Sequence, residues 1–201
     1  MTGMMDMIID TNEIIDLIKI RLSKKRFQHS LNVADMAVKL AARHGADREK
    51  AYLAGLVHDI CKEIPHNEQL IMAENCGRDF TKAEALVPAL YHAPAGAYYC
   101  EKVLGITDSD ILNAVRYHTT GRGEMSRLEE VIYLADLTSA ERDYKDVSKM
   151  REYAHDDIDR AMYEALKFQI GDVLKKGSVI PIHSTEAYNR YAAVFLKKQG
   201  E

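Results

Sequence analysis

The sequence lacks the features that mark membrane-spanning, secreted and disulfide-stabilised proteins. No stretch approaches the roughly 20 apolar residues that a helix needs to cross a bilayer. The first ten residues contain Asp6 and Asp10 but no lysine or arginine, so they lack the basic front of a signal peptide. The three cysteines, Cys61, Cys76 and Cys100, form no CxxC pair and no disulfide framework. We therefore expect a protein of the reducing cytoplasm that does not associate with membranes.

An excess of one charge is also missing. The 27 basic and 31 acidic side chains give a net charge of -4, which offers no bulk electrostatic basis for binding nucleic acid or an anionic membrane. The 201 residues are 47% hydrophobic and 29% charged, an ordinary globular balance. The chain shows no repeats, low-complexity tracts or linkers, so we expect residues 1–201 to form a single domain.

Apolar residues recur at spacings of three and four almost throughout, and two-residue alternation is hard to find. This periodicity predicts an all-α fold. Two short helices are expected on either side of residues 91–94, because Pro94 disfavours helical geometry at Ala93, and residues 178–183 are expected to be extended. The other helices are predicted, with approximate bounds, at residues 14–18, 25–44, 48–58, 66–75, 107–117, 126–136, 148–176 and 184–198.

Several helix ends carry capping signals. Gly45 is expected to stop the second helix, and Asp47 is a candidate N-cap for the third. Two capping boxes are predicted, one formed by Thr107 with Asp110 and the other by Ser126 with Glu129.

His58 and Asp59 are adjacent at the end of an apolar helix, where burying both would be costly without compensation. Neutral imidazole and carboxylate together suit a borderline or hard metal ion. Neighbouring side chains on a helix point about 100° apart, so further ligands would have to come from other helices. The candidates, all but one at a predicted helix end, are His29, His92, His118 and Asp136.

Each of these side chains also has an ordinary structural interpretation. A histidine or aspartate at a helix terminus often caps the helix, interacts with its dipole or forms satisfied hydrogen bonds in the core. Burying all six together without a common countercharge would destabilise the fold repeatedly. The set as a whole therefore favours helix ends that converge on one metal-binding pocket.

The motif formed by His29, His58-Asp59 and Asp136 resembles the signature of the HD-domain phosphohydrolase superfamily, and the surrounding sequence resembles its YqeK branch. The resemblance spans about residues 20–195 and implies an all-α HD-domain helical bundle with a di-metal site at converging helix ends. Its core would lie at about 20–145, and helices at about 148–198 would pack on it and help to form a nucleotide pocket. The matching blocks are residues 25–33, 55–62, 92–96, 115–121, 135–142 and 181–189.

Members of that branch hydrolyse diadenosine tetraphosphate symmetrically to two ADP. The resemblance therefore implies a dinucleoside polyphosphate or ADP-type nucleotide as the partner, cleaved by metal-activated hydroxide. It also implies iron, with manganese or another divalent ion as the alternative. Asp59 would bridge the two ions. The first ion would be held by His29, His58, Asp59 and Asp136, and the second by Asp59, His92 and His118.

Lys62 lies one turn beyond His58 and is a candidate catalytic group beside Asp59, able to neutralise charge on the leaving phosphate. Lys62, Arg26 and Arg142 could instead be solvated surface residues. Thr119 could instead be part of a simple helix cap. The extended apolar segment is either a wall for a nucleobase or interhelical packing. The candidate substrate contacts are Arg26, Lys62, His92, His118, Thr119, Arg142, Ile180, Ile182 and His183.

Other functions compete with this one. The same centre would serve a phosphohydrolase of nucleoside mono- or triphosphates, and a catalytically silent nucleotide-binding module would retain the same pocket. A cyclic dinucleotide phosphodiesterase fits less well, because residues 119–123 do not carry the GYP motif of that branch. Base preference and a homodimeric state stay open.

Overall fold

The computed structural model describes residues 10–199, with side chains to residue 198. Residues 1–9, which contain most of the segment judged unlike a signal peptide, lie outside that range. Within it the chain forms ten α-helices, two short 3-10 turns and no strand, so the predicted all-α fold is confirmed. The helices are α1 Thr11–Arg21, α2 Lys24–His44, α3 Arg48–Val57, α4 His66–Glu74, α5 His92–Lys102, α6 Ser109–Tyr117, α7 Arg127–Thr138, α8 Val147–Asp156, α9 Ile158–Lys175 and α10 Ile182–Gln199.

Three of the predicted helix ends are confirmed. Gly45 ends α2 in the left-handed conformation, with φ of 77°, which glycine adopts without a steric penalty. The Asp47 side chain accepts hydrogen bonds from the first backbone N–H groups of α3. Ser126 and Glu129 form both hydrogen bonds of the capping box that begins α7.

Two of the predictions around α6 and α8 were wrong because an aspartate caps a helix at a different place. Asp108, not Thr107, is the N-cap of α6, and its carboxylate accepts from the backbone N–H groups of Asp110 and Ile111. The single helix predicted at residues 148–176 is two helices that are separated at Asp157. This residue is extended, with φ of -146° and ψ of 99°, and caps α9.

The expected break at Ala93 and the extended segment up to residue 183 also differ from the structure. Helix α5 begins at His92, so Pro94 lies in its first turn, where a backbone N–H is not required. Helix α10 already begins at Ile182, directly after Pro181. Two 3-10 turns, at residues 84–86 and 88–90, take the place of the helix predicted before Tyr91.

The position of α3 against α2 determines how two of the candidate ligands meet. Helix α2 packs against α3 and α7, α9 packs against α7, and α10 packs against α9. A Cβ atom on Gly55 would lie 2.6 Å from Ala34 Cα, so α3 approaches α2 this closely only because residue 55 is glycine. This approach brings the end of α3 beside His29. None of the described helices is long and apolar enough to cross a membrane.

Candidate metal centre

The predicted ligands come together at one place in the structure. His29 lies in the second turn of α2, His58 and Asp59 directly follow α3, and His92 is the first residue of α5. His118 directly follows α6, and Asp136 lies in the last turn of α7. Asp136 is the most accessible of them, with 22% of its side chain exposed, whereas each of the other five residues is at most 6% exposed.

Asp59 lies between two pairs of imidazoles. Its Oδ2 atom is 3.4 Å from His58 Nε2 and 3.6 Å from His29 Nε2. Its Oδ1 atom is 3.3 Å from His92 Nε2 and 3.7 Å from His118 Nε2. One carboxylate therefore presents a different oxygen to each pair, which is the arrangement needed to bridge two cations.

Backbone carbonyls fix the orientation of two of the histidine rings. His58 Nδ1 lies 2.7 Å from the Gly55 carbonyl oxygen, and His118 Nδ1 lies 2.7 Å from that of Val115. Because a carbonyl only accepts, each Nδ1 must carry the proton and donate it. In a neutral imidazole this leaves Nε2 with a free lone pair, as a metal ligand requires.

The lone pairs then face one another in the absence of a cation. His29 Nε2 and His58 Nε2 are 3.2 Å apart, and so are His92 Nε2 and His118 Nε2. Asp59 Oδ1 is buried and accepts no hydrogen bond. Such a concentration of acceptor atoms is unfavourable unless positive charge is shared among them. The donor set therefore fits bound divalent cations.

A carboxylate that the sequence motif did not identify holds His29. Glu141, in the loop after α7, accepts a hydrogen bond from His29 Nδ1, while His29 Nε2 faces Asp136 Oδ1 at 3.1 Å. Glu141 also accepts from Asn32 Nδ2 at 2.6 Å and from Ser139 Oγ at 2.8 Å. No spacing signal predicts this role, because it depends on the path of an irregular loop.

The electrostatics favour the metal-binding protonation state at Asp59, His92 and His118. They do not favour it at His58, where the effect of burial is outweighed by the charge of Asp59 and the pKa is raised. Burial favours the neutral acid at Asp59, but electrostatic attraction to the surrounding imidazoles, that of His58 most of all, outweighs it and holds the pKa of Asp59 well below its usual range. Burial lowers the pKa of His92 strongly and that of His118 as well. A carboxylate and neutral imidazoles are the ligand forms that coordinate cations.

Basic side chains surround the centre. Arg26 Nη1 donates to Asp59 Oδ2 at 2.7 Å, and Arg142 Nε donates to the Asp136 carbonyl oxygen at 2.8 Å. Lys62 Nζ lies 3.1 Å from His92 Nε2. Burial lowers the pKa of Lys62, against the opposing charge of Asp59.

A cavity of about 540 Å³ opens beside the centre. Of the predicted substrate contacts, Lys62, His118, Thr119, Arg142 and Ile180 line it, together with the predicted ligand Asp136 and side chains of α9. We call it the α9 cavity.

Four of the predicted substrate contacts do not line the α9 cavity. Arg26 and His92 contact Asp59 within the centre instead, and Ile182 and His183 lie near the start of α10. Ile182 is 52% exposed at the start of α10. His183 Nε2 lies 3.3 Å from an Asp79 carboxylate oxygen, and its ring contacts the edge of the Tyr117 ring, with centroids 5.4 Å apart. Because α10 begins one residue after Pro181, residues 182 and 183 turn with the helix instead of continuing the extended wall.

Comparison with known proteins agrees with this geometry. The model of the HD domain family matches residues 26–141, a range that contains all six candidate ligands. The chain belongs to the HD-domain family. A symmetrical bis(5'-nucleosyl)-tetraphosphatase of Halalkalibacterium halodurans is 36% identical over 184 residues, which covers 90% of this chain and 97% of that protein. The relative of the same name in Bacillus subtilis is 35% identical over 183 residues, with the same coverage.

A solved HD-domain structure shares the whole fold. The structure is from Clostridium acetobutylicum and is described as a "predicted HD superfamily hydrolase involved in NAD metabolism". It is 37% identical to this chain, with a TM-score of 0.86, and the match covers 90% of this chain and 96% of that one. The resemblance inferred from the sequence blocks is thus confirmed at the level of the family and of the helical fold.

The HD centre of this chain contains overlapping groups of ligand atoms that lie within 4.8 Å of one another. One group is His29, His58 and Asp59, and another is Asp59, His92 and His118. Asp59 is common to both, as the bridging arrangement requires. Imidazole nitrogen and carboxylate oxygen are ligands for borderline divalent ions, so the HD centre is suited to divalent metals.

Proposed function

We propose that this protein hydrolyses dinucleoside tetraphosphates, diadenosine tetraphosphate in particular, symmetrically to two ADP. The observation that carries the proposal is the position of Asp59, which turns one oxygen toward each imidazole pair. The chain that holds it is similar over 90% of its length to two symmetrical bis(5'-nucleosyl)-tetraphosphatases. The reaction consumes one water. Its oxygen bonds to one inner phosphorus, the central bridging oxygen leaves with the other ADP, and the released proton passes to solvent.

The six candidate ligands would hold two divalent ions in this proposal. His29, His58, Asp59 and Asp136 would hold one ion, and Asp59, His92 and His118 would hold the other. When bound, a pair of such ions neutralises phosphate oxygens and lowers the pKa of water to near neutrality. The identity we propose is iron, with manganese or another divalent ion as the alternative. Cys61 does not compete as a ligand, since burial raises the pKa of its thiol to about 12.

Residues of the chain itself would orient and neutralise the polyphosphate. Lys62 extends from the centre into the α9 cavity, where its ammonium would meet the negative charge that grows on the leaving phosphate. Arg142 lines the same cavity, and its planar guanidinium suits bidentate contact with phosphate. Arg26 holds Asp59 from the other side and would stabilise the deprotonated carboxylate.

The α9 cavity would bind one nucleoside of the substrate. Ile180 and Leu166 supply apolar surface, and Thr119 supplies a hydroxyl that is buried without a hydrogen-bond partner within the described residues. Small-molecule sites are usually lined by apolar side chains with a few polar groups, and such a lining suits an aromatic base. Ile182 and His183 lie outside this cavity, so their proposed part is limited to supporting its wall.

Product identification tests the proposal. Metal-loaded protein is incubated with diadenosine tetraphosphate, and the products are separated by anion-exchange chromatography. We expect ADP as the sole nucleotide product, and no cleavage with Asp59→Ala. The proposal fails if the wild-type protein leaves the substrate intact or if Asp59→Ala cleaves it equally well.

The same measurement distinguishes the competing functions. A phosphohydrolase of mono- or triphosphates would release phosphate or pyrophosphate from ATP faster than ADP from diadenosine tetraphosphate. A silent nucleotide-binding module would bind ADP and release nothing. We also propose a reducing compartment, the cytoplasm, because Cys61, Cys76 and Cys100 are all buried as free thiols.

A further inference from the structure

A second cavity lies on the α1 side of the same centre and contacts it at His29. It has a volume of about 890 Å³ and shares no lining residue with the α9 cavity. We call it the α2 cavity, because most of its wall comes from the first turns of that helix. Its lining residues are Lys19, Lys24, Lys25, Phe27, Gln28, His29 and Glu141.

The two cavities contact the HD centre through different candidate ligands. His29 lines the α2 cavity and His118 lines the α9 cavity. Asp59 joins these ligands, because its Oδ2 lies 3.6 Å from His29 Nε2 and its Oδ1 lies 3.7 Å from His118 Nε2. Glu141 and Arg142 are consecutive in the chain yet line different cavities. A linear ligand bound at the centre therefore has one cavity beside His29 and another beside His118.

The lining of the α2 cavity combines an aromatic wall with three lysines and one carboxylate, that of Glu141, which the Nδ1 atom of His29 already engages. Phe27 is half-buried and packs against the core on one side, which leaves part of its ring to the cavity. Lys19, Lys24 and Lys25 are exposed around it, in a chain whose net charge is -4. An aromatic ring stacks with a nucleobase of any sequence, and lysines pair with phosphates. These are the complements of a nucleoside 5'-polyphosphate.

We propose that the α2 cavity binds the second nucleoside diphosphate half of the substrate, with the base against Phe27 and the phosphates beside Lys24 and Lys25. This inference rests on the proposed hydrolysis of dinucleoside tetraphosphates. With one half in each cavity, the middle of the tetraphosphate lies at Asp59. The occupancy of both cavities thus explains why cleavage would be symmetrical, and it makes Phe27 and the two lysines determinants of specificity for dinucleotides over mononucleotides.

Equilibrium binding tests the proposal without relying on turnover. The probes are ADP and the diadenosine tetraphosphate analogue in which a methylene group replaces the central bridging oxygen, each titrated into metal-loaded protein by calorimetry. The variants are Phe27→Ala and the double variant Lys24→Gln/Lys25→Gln. Because Lys24 and Lys25 are exposed, the double variant tests the cavity without the loss of core packing that Phe27→Ala brings. Lys39→Gln is the matched control, an exposed lysine of α2 outside both cavities.

We expect each cavity variant to weaken binding of the analogue about tenfold, as loss of one base stack or of two charge-assisted contacts implies. The ADP bound in the α9 cavity would keep its affinity, and Lys39→Gln would keep both affinities. The proposal is overturned if neither cavity variant weakens the analogue, or if both ligands weaken alike. Failure of the wild-type protein to produce ADP would instead refute the hydrolase function. The affinity of the cavity variants for the analogue, relative to that of the wild type, would still decide whether the α2 cavity binds a nucleotide.

Discussion

Glu141 holds His29 from behind: its carboxylate accepts the hydrogen bond of His29 Nδ1, while His29 Nε2 faces the centre. The hydrogen bond fixes the tautomer and the angle of this ring, and the negative charge makes Nε2 a stronger ligand. Burial alone would raise the pKa of Glu141, but hydrogen bonds from His29 and Asn32 outweigh it and lower the pKa to about 2. Glu141 is therefore charged throughout the neutral range.

Removing that charge should weaken metal binding although no ligand is changed. We expect Glu141→Gln to lower the affinity for divalent metal by about tenfold, the lower end of the range for partners that orient metal-binding histidines. Competition with a chromogenic chelator measures this. Glu124→Gln is the control, because the Glu124 side chain is 91% exposed and pairs only with Arg190. Equal affinities of Glu141→Gln and wild type would show that Glu141 has no part in ordering His29.

The bridging position of Asp59 predicts a difference between two ligand variants. His118→Ala removes an imidazole that approaches Asp59 at Oδ1, so we expect it to keep one tightly bound ion of the two. Asp59→Ala removes the oxygens shared by both imidazole pairs, and we expect it to retain less than one ion per chain. Elemental analysis of purified, folded variants makes the comparison. Equal loss in both variants would contradict a bridging carboxylate.

Gly55 connects the packing of α3 on α2 to the metal centre. A Cβ at this position would lie 2.6 Å from Ala34 Cα and 2.9 Å from Ala34 N, and backbone atoms cannot move aside as a flexible side chain would. We expect Gly55→Ala to cost about 1–3 kcal/mol of unfolding free energy, as overpacking does, and to weaken metal binding because His58 moves away from His29.

Gly171→Ala in α9 is the matched control for Gly55→Ala. A Cβ there meets nothing within 4 Å, so alanine should stabilise the helix by about 0.5–1 kcal/mol. Urea unfolding measures both variants. Two changes of the same sign and size would show that the close approach of α3 and α2 carries no special cost.

Asp108 should contribute to stability through the start of α6, and its contribution should depend on pH. Burial favours the neutral acid, but hydrogen bonds from Lys50 and from backbone N–H groups of α6 outweigh it and lower the pKa of Asp108. The folded state therefore binds the proton less tightly than the unfolded chain does. The stabilisation is present above the ordinary aspartate pKa of about 4 and is lost as the pH falls through the lower folded pKa.

We expect Asp108→Ala to cost about 1 kcal/mol at neutral pH, a typical value for an N-cap. The difference from wild type should shrink as the pH is lowered from 7 toward 3. Thr107→Ala is the control, since Thr107 is exposed and does not cap α6. Urea unfolding at several pH values measures the free energy of unfolding of both variants. A larger loss from Thr107→Ala than from Asp108→Ala would support the capping box predicted from the sequence.

All the candidate ligands except His29 could be identified from the sequence because each is a polar residue at a predicted helix end. His58 and His118 are the clearest cases, since both directly follow the last residue of their helix. Their convergence could be inferred only from the energetic cost of burying them separately and from the family signature. Glu141 carried no such signal. It belongs to a loop whose carbonyl oxygens accept hydrogen bonds from the Arg151 guanidinium. Helical periodicity does not predict contacts between such residues.

Local competition between capping residues explains two of the errors in the fold. Asp108 beside Thr107, and Asp157 within a continuous periodic segment, each supply a carboxylate at the residue where the helix begins. Periodicity does not record a single extended residue such as Asp157, because α8 and α9 continue the same apolar pattern on either side. The start of α10 at Ile182 has the further consequence that His183 turns toward Asp79 and away from the α9 cavity.

Anomalous diffraction from crystals of the metal-loaded protein tests the central claim most directly. We expect two peaks, one within coordination distance of Asp59 Oδ2 and the imidazoles of His29 and His58, the other within coordination distance of Asp59 Oδ1 and those of His92 and His118. Data collected on both sides of the iron absorption edge would identify the metal in the same experiment. A single peak that Asp59 does not touch, or none at full metal loading, would contradict a centre built around one bridging carboxylate.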